Sequence, residues 1–227
     1  MILADGLRTA FRERAARLSG IDLAVYQKFA KDPHEPIIGL GDRDARIGFF
    51  GRDPGADEVK HGMPFIGAGG QKVRAGLYRH LYGSEMPDFA ASVEVGNKFF
   101  WANTVPCKPL GNKAWPMKVK RDFCDLMIEV LLGYWRGREV ITFGREAFFW
   151  FGIAGGKAVR ESLEAFWLRD DRYTASVDVE LASGSGQTRR FHLHPLPHPS
   201  PLNATWYKRF PELLENRLTQ LDVSLRT

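Results

Sequence analysis

Cysteine is nearly absent: two thiols in 227 residues cannot build a disulfide framework, and a reducing setting is expected. No run approaches the roughly 20 apolar residues that a membrane-crossing helix needs. The start, Met-Ile-Leu-Ala-Asp-Gly-Leu-Arg, has neither a secretory hydrophobic region nor a cleavage site, so the expectation is a cytoplasmic protein without a membrane partner. Internal repeats, low-complexity tracts and linker-like stretches are missing too, which makes residues 1–227 one domain. Hydrophobic residues at 44% and charged residues at 26% exclude a disordered chain, a collagen-like chain and a coiled coil.

Acid is scarce in one place. Overall, 32 Lys and Arg against 27 Asp and Glu leave +5, a weak preference for an anionic partner. From Val105 to Arg121, however, Lys108, Lys113, Lys118, Lys120 and Arg121 face no acid, and Trp115 stands among them. A basic, turn-rich loop with an exposed aromatic suits a phosphate backbone, since each cation displaces condensed counterions. A solubilising loop beside a helix fits the same residues.

Apolar spacing predicts helices over Leu7–Leu18, Gly69–Tyr82, Met117–Trp135 and Ala204–Leu221, with another starting over Glu146–Phe151. Arg46–Gly51, Phe99–Asn103 and Glu139–Gly144 read as buried strands. Ser176–Ala182 and Thr188–Leu193 form a hairpin around Gly184-Ser-Gly186, its second arm a candidate fourth core strand. Strands alternating with helices predict an α/β/α sandwich around a mostly parallel four-stranded sheet.

Ligands of open α/β sheets bind beyond the carboxyl ends of the strands. Three such ends carry unusual turns: Gly51-Arg-Asp-Pro-Gly55, Asn103-Thr-Val-Pro-Cys107 and His198-Pro-Ser-Pro-Leu202. Each pairs Pro or Gly with one polar side chain: Asp53, Asn103 or His198. Fixed polar groups of this kind stabilise developing charge. Ordinary capped loops would look similar singly; recurrence at three strand ends points to a shared site.

Taken with Gly62-Met-Pro-Phe-Ile-Gly67, the first turn resembles the opening motif of the uracil-DNA glycosylase superfamily, nearest the thermophile-type family 4 pattern G-E-A-P-G-x-x-E followed by G-x-P-F-x-G. His198-Pro-Ser-Pro-Leu202 is similar to the superfamily's second motif in its family 1 form, and Asn103–Pro109 to the base-recognition strand between them. The resemblance spans Gly51 to Arg209. Asp53 departs from family 4, which has Ala there, and matches the family 1 catalytic carboxylate. Cys107 and Cys124 match only the second pair of the four family 4 cluster cysteines. Two thiolates cannot supply a cluster that takes four, so no cofactor is expected.

The resemblance implies a monomeric, monofunctional DNA glycosylase. It would flip uracil out of single- or double-stranded DNA, cleave its N-glycosidic bond and leave an abasic site. Asp53 would orient water and stabilise the sugar cation; His198 would donate to uracil O2. Phe65 would stack on the base, with Gly51 and Arg52 beside it. Asn103 can match uracil N3–H and O4, a pattern that cytosine reverses; alternatively it closes a turn on its own backbone. Leu202 would wedge into the gap left by the flipped nucleotide. Ser200, Asn203, Lys208 and Arg209, with Lys108 and Lys113 of the basic loop, are candidates to hold phosphates.

Gly55 stands where family 1 has a Tyr wall against thymine's methyl, and Glu58 matches the acid that family 4 uses instead. With Glu58 displaced by the Asp53 arrangement, a roomier pocket is expected, open to other deaminated or 5-substituted bases. No lysine of the motif loops is placed as a Schiff-base nucleophile. Two other readings stand. In one, Arg52 pairs with Asp53 and leaves a protein that binds DNA or a nucleobase and cleaves weakly. In the other, His192, His194 and His198 form a zinc centre of a metal-dependent hydrolase.

Overall fold

The computed structural model describes residues 3–111, 113–201 and 203–225. Helices α1 (Asp5–Ala15) and α2 (Leu23–Lys28) precede strand β1 (Ile47–Gly51). Then come α3 (Ala56–His61), α4 (Ala68–Tyr82), α5 (Phe89–Asn97) and β2 (Phe100–Asn103). The track from Met117 to Trp135 is broken into α6 (Met117–Asp122), α7 (Cys124–Glu129) and a π-helical turn, Val130–Tyr134. Trp135 leaves that turn in extended conformation and is buried, its indole N–H donating to Ala45 O at 2.7 Å. β3 (Glu139–Phe143), α8 (Gly144–Ala154) and α9 (Gly156–Trp167) follow, then the hairpin β4 (Val177–Ala182) and β5 (Thr188–Leu196). The predicted closing helix is two pieces, α10 (Ala204–Tyr207) and α11 (Phe210–Gln220). Pro211, in the first turn of α11, has no N–H with which to continue a helix from α10.

The sheet has five strands in the order β2-β1-β3-β5-β4. The four expected strands are parallel; the fifth, β4, is the first hairpin arm, antiparallel to β5 at one edge. β1 is buried throughout, the pattern of a parallel strand covered on both faces. Adjacent residues therefore enter opposite cores. Phe49 packs with Trp101 and Phe143 beneath α4, α5 and α11. Phe50 packs with Trp150 and Phe151 on the side of α1, α7, α8 and α9.

Parallel register brings the ends of β1, β2, β3 and β5 to one side. Gly51 pairs with Asn103, the last residues of β1 and β2. β3 and β5 end in register at Phe143 and Leu196, two residues before His198. The three turns of the sequence motifs therefore open on the same side of the sheet.

Candidate active site

These turns enclose a cleft of about 710 Å³, whose lining includes Asp53, Phe65, Asn103 and His198. The first wall is the turn after β1. It is stitched to β2 through Thr104, whose backbone N–H donates to Gly51 O and Arg52 O at 2.9 Å each. The Thr104 hydroxyl donates to Arg52 O at 2.6 Å and lies 3.3 Å from Asp53 Oδ1. Trp115 N–H donates to Asp53 Oδ2 at 3.3 Å, and Arg52 Nε is 3.3 Å from the same oxygen. The Asp53 side chain is only 1% exposed. Burial pushes its carboxyl up to about 6, against the opposing charges of Arg52 and Lys120 and the two hydrogen bonds.

The second wall is built on Gly51. A Cβ there would sit 2.2 Å from Phe65 Cζ and 3.1 Å from Asn103 Oδ1. Only glycine lets the ring and the amide meet over the strand end. Phe65 leans on Trp101 and Phe143, ring centroids 5.3 and 5.6 Å away. Its φ of +55° is rare for a bulky residue and marks a constrained loop. Arg74 holds that loop from below: its guanidinium donates to Phe65 O at 2.8 Å, Ser92 O at 2.7 Å and Pro64 O at 3.3 Å. It also lies over the Trp101 ring. Sequence reasoning missed Arg74; the available signal was an arginine next to Val73, on the apolar side of a helix. Asn103 is buried at the end of the strand ladder, in register with Gly51.

The third wall is the turn after β5. Ser200 N–H donates to His198 Nδ1 at 3.2 Å, and Asn203 Nδ2 donates to His198 O at 3.1 Å. Burial, with the Arg52 charge second, pushes the His198 imidazole down to about 4. The ring is neutral at physiological pH. With Nδ1 accepting, the proton sits on Nε2. Ser200 and Asn203 thus brace the histidine, and both line the cleft. Leu202 lies outside the described residues.

Several expectations need correction. Lys108 is not a phosphate contact. It is buried, and its ammonium donates to Asp22 Oδ2 at 2.9 Å, Pro109 O at 3.0 Å and Gly111 O at 2.6 Å. A buried ammonium keeps its charge only with such partners. Lys120 is buried too, paired with Glu146. Trp115 is not exposed; it is buried and donates its indole N–H to Cys107 O at 2.7 Å. Lys113, Lys208 and Arg209 are exposed. Glu58 lines the cleft, but its carboxylate accepts from Gly55 N–H at 2.9 Å and Gly67 N–H at 3.3 Å, capping α3 and α4 together. The acid three residues after Gly55 is capping-box spacing, readable in the sequence.

The remaining histidines have separate partners. His192 Nδ1 is 2.6 Å from Asp178, and His194 bonds Glu139 and Ser176 at 2.6 and 2.8 Å. Among the described residues no group of three His, Cys, Asp or Glu side chains is arranged to hold a metal ion. Nor does the donor set fit an iron–sulfur cluster. Both cysteines are buried, with thiols pushed up to about 12, where a cluster needs four thiolates.

The family model of the uracil DNA glycosylase superfamily matches residues 38–222, a span that takes in the whole sheet and every wall of the cleft. The chain belongs to that superfamily. No curated protein matches it. Membership points to a DNA glycosylase, a hydrolase acting on DNA. No helix among the described residues is long and apolar enough to cross a membrane.

Proposed function

We propose that this chain hydrolyses the N-glycosidic bond of uracil in DNA and releases an abasic site, without a cofactor. One observation carries the reading: Asp53 and His198 line the same cleft as Phe65 and Asn103. An anionic group for the sugar and a neutral donor for the base thus share a pocket with a stacking ring and a buried amide.

The chemistry follows from those groups. A uracil flipped out of the stack lies against Phe65, its N3–H and O4 edge toward Asn103. As the glycosidic bond lengthens, negative charge gathers on uracil O2, and His198 Nε2–H donates to it. Because the imidazole is already neutral, it strengthens a hydrogen bond as charge develops and need not release a proton. Positive charge on the sugar meets the Asp53 carboxylate. Asp53 also orients the water that attacks the anomeric carbon. The base departs as an anion with the glycosidic electron pair, the water oxygen bonds to that carbon and gives up a proton to the Asp53 carboxylate, and the uracil anion takes up a proton from solvent on release. Cytosine would leave the Asn103 amide unpaired, a mismatch that discriminates by about 10⁴ in buried sites.

The pocket takes more than uracil. Gly55 offers no side-chain wall, and the Glu58 carboxylate is occupied by two backbone N–H groups. Other deaminated or 5-substituted bases fit this opening.

Arg52 favours a second reading, because its Nε lies 3.3 Å from Asp53 and a paired carboxylate binds water less freely. That reading is a DNA- or nucleobase-binding member with weak cleavage. Duplexes bearing uracil, hypoxanthine, xanthine and 5-substituted uracils, incubated in EDTA and resolved on gels, separate the two. Cleavage at uracil supports the first, tight binding without cleavage the second, and cleavage confined to uracil removes the broad range.

A further inference from the structure

A second cavity, of about 570 Å³, lies between α6, α7, α8 and the start of α9. It shares no lining residue with the cleft, and α8 stands between them. Gly144, the first residue of α8, packs against His198, where a Cβ would lie 3.2 Å from the histidine Cβ. The next two residues, Arg145 and Glu146, line the second cavity. Among the described residues its cations are Lys120, Arg121, Arg145, Lys157 and Arg160, set against two acids, Glu146 and Glu164.

The wall of this cavity holds donors that lack acceptors. The Lys120 side chain is 4% exposed. An ammonium carries three N–H donors, yet among the described residues Glu146 is the one acceptor for Lys120. Lys108, equally buried, has three acceptors. Trp150 is fully buried, and its indole N–H has no acceptor among the described residues. The indoles of Trp101, Trp115 and Trp135 each donate to a backbone carbonyl at 2.7 Å. Buried donors are almost always paired, so two incompletely paired donors in one cavity wall point to a ligand that brings acceptors. The opening of α9 agrees. A helix N-terminus favours negative charge, but the first turn of α9 has no acid, carries Lys157 and receives no side-chain cap. The opposite side is apolar, with Met117, Phe149 and Ile153. The half-buried Phe149 ring has the Arg145 guanidinium over it, 4.9 Å from the centroid. A cation held on an aromatic face is a surface on which a flat heterocycle stacks.

We propose that this cavity is a second binding site that takes a nucleotide, with the phosphate among Lys120, Arg145, Arg160 and the opening of α9 and the base toward Phe149. The volume is that of a small-ligand pocket, and the phosphate oxygens supply the acceptors that the wall lacks. Two sources offer this chemistry: a free nucleotide, or a nucleotide within a DNA strand. The site goes beyond the proposed reaction and needs no bond cleavage.

Indole ¹H–¹⁵N resonances test it, with Trp150→Phe identifying the Trp150 signal. The probes are dAMP, deoxyadenosine, inorganic phosphate and a uracil-free single-stranded oligonucleotide. Titration with dAMP should move the Trp150 signal to saturation, and deoxyadenosine or phosphate alone should bind about tenfold more weakly or worse. Arg145→Ala and Arg160→Ala, both at exposed positions, should each weaken dAMP on the order of tenfold with an unchanged melting temperature. His198→Ala should bind dAMP as the unaltered protein does, because the cleft is a separate site. An oligonucleotide that moves the same signal, and is weakened by the same two variants, makes the ligand part of a DNA strand; a response to dAMP alone makes it a free nucleotide. A Trp150 signal unmoved at millimolar dAMP and by the oligonucleotide, undiminished affinity in both arginine variants, or loss of dAMP binding in His198→Ala would overturn the site. These readouts hold whether or not the chain cleaves uracil DNA, so failure of the proposed reaction and failure of this site are told apart.

Discussion

The backbone N–H of Ser200 donates to Nδ1 of His198 at 3.2 Å, and this one bond assigns the imidazole proton to Nε2. Burial keeps the ring neutral, with its titration pushed down to about 4. His198 should therefore act as a neutral donor across the physiological range. Histidine ¹⁵N shifts should show a bare Nδ1 and a protonated Nε2 from pH 5.5 to 8. His198→Ala should lower the cleavage rate by roughly 10²–10³. An imidazolium signature at pH 6 would contradict the tautomer assignment.

Asp53 should set the acid limb of activity. The carboxylate is the useful form and titrates near 6, so kcat/KM on uracil DNA should rise through about pH 6 and level off above it. Asp53→Asn should remove that limb and lower the rate by roughly 10²–10⁴.

The same burial has a consequence for stability. A carboxyl titrating higher in the folded than in the unfolded chain binds its proton more tightly when folded. Its contribution is full below the ordinary aspartate value of 3.8 and lost as pH rises through about 6. Asp53→Asn should thus raise stability at pH 7.5 by roughly 2–3 kcal/mol, and the gain should vanish near pH 4. Urea unfolding at the two pH values measures it. A destabilised Asn variant at pH 7.5 would mean that the carboxylate is held by more than the Trp115 and Thr104 bonds.

The cations of the basic loop should separate into two behaviours. Lys108→Met leaves Asp22 buried without its cation and should cost roughly 3–5 kcal/mol. Lys113→Ala and Arg209→Ala, at exposed positions, should leave the melting temperature alone. Each should reduce the salt slope of DNA binding by about one. Binding isotherms from low to moderate salt distinguish them. A Lys108 variant that melts normally and loses a unit of slope would return Lys108 to the phosphate surface.

The division between what was legible and what was not follows sequence distance. Ile47–Gly51 and Glu139–Phe143 announce themselves because a strand covered on both faces must be continuously apolar. The three turns follow, since parallel strands deliver their ends to one side. Lys108 could not be read, because its partner Asp22 lies far along the chain and a basic run gives no sign of which cation turns inward. Arg74 escaped for a related reason: its acceptors are carbonyls of Pro64, Phe65 and Ser92, and backbone has no sequence signature. β4 is not legible as a sheet member, because its alternating edge pattern suits the free arm of a hairpin equally well. Glu58, by contrast, was legible as a cap and was read for its resemblance instead.

Gly51 makes the sharpest claim on geometry. A methyl at this position would lie 2.2 Å from Phe65 Cζ and 2.8 Å from Cε1, so the ring must leave its place. It cannot move inward, where Trp101 and Phe143 already touch it, and Arg74 fixes its backbone from below. The ring is therefore driven toward the space the base should occupy. Gly51→Ala should keep the fold and lower kcat/KM by on the order of 10²-fold, the cost of misplacing a bound group by about an ångström. The decisive comparison is the double variant. Phe65→Ala removes the atoms that the new methyl would strike, so adding Gly51→Ala on that background should cost little more. Losses that simply multiply would show that Gly51 acts through something other than the ring it faces.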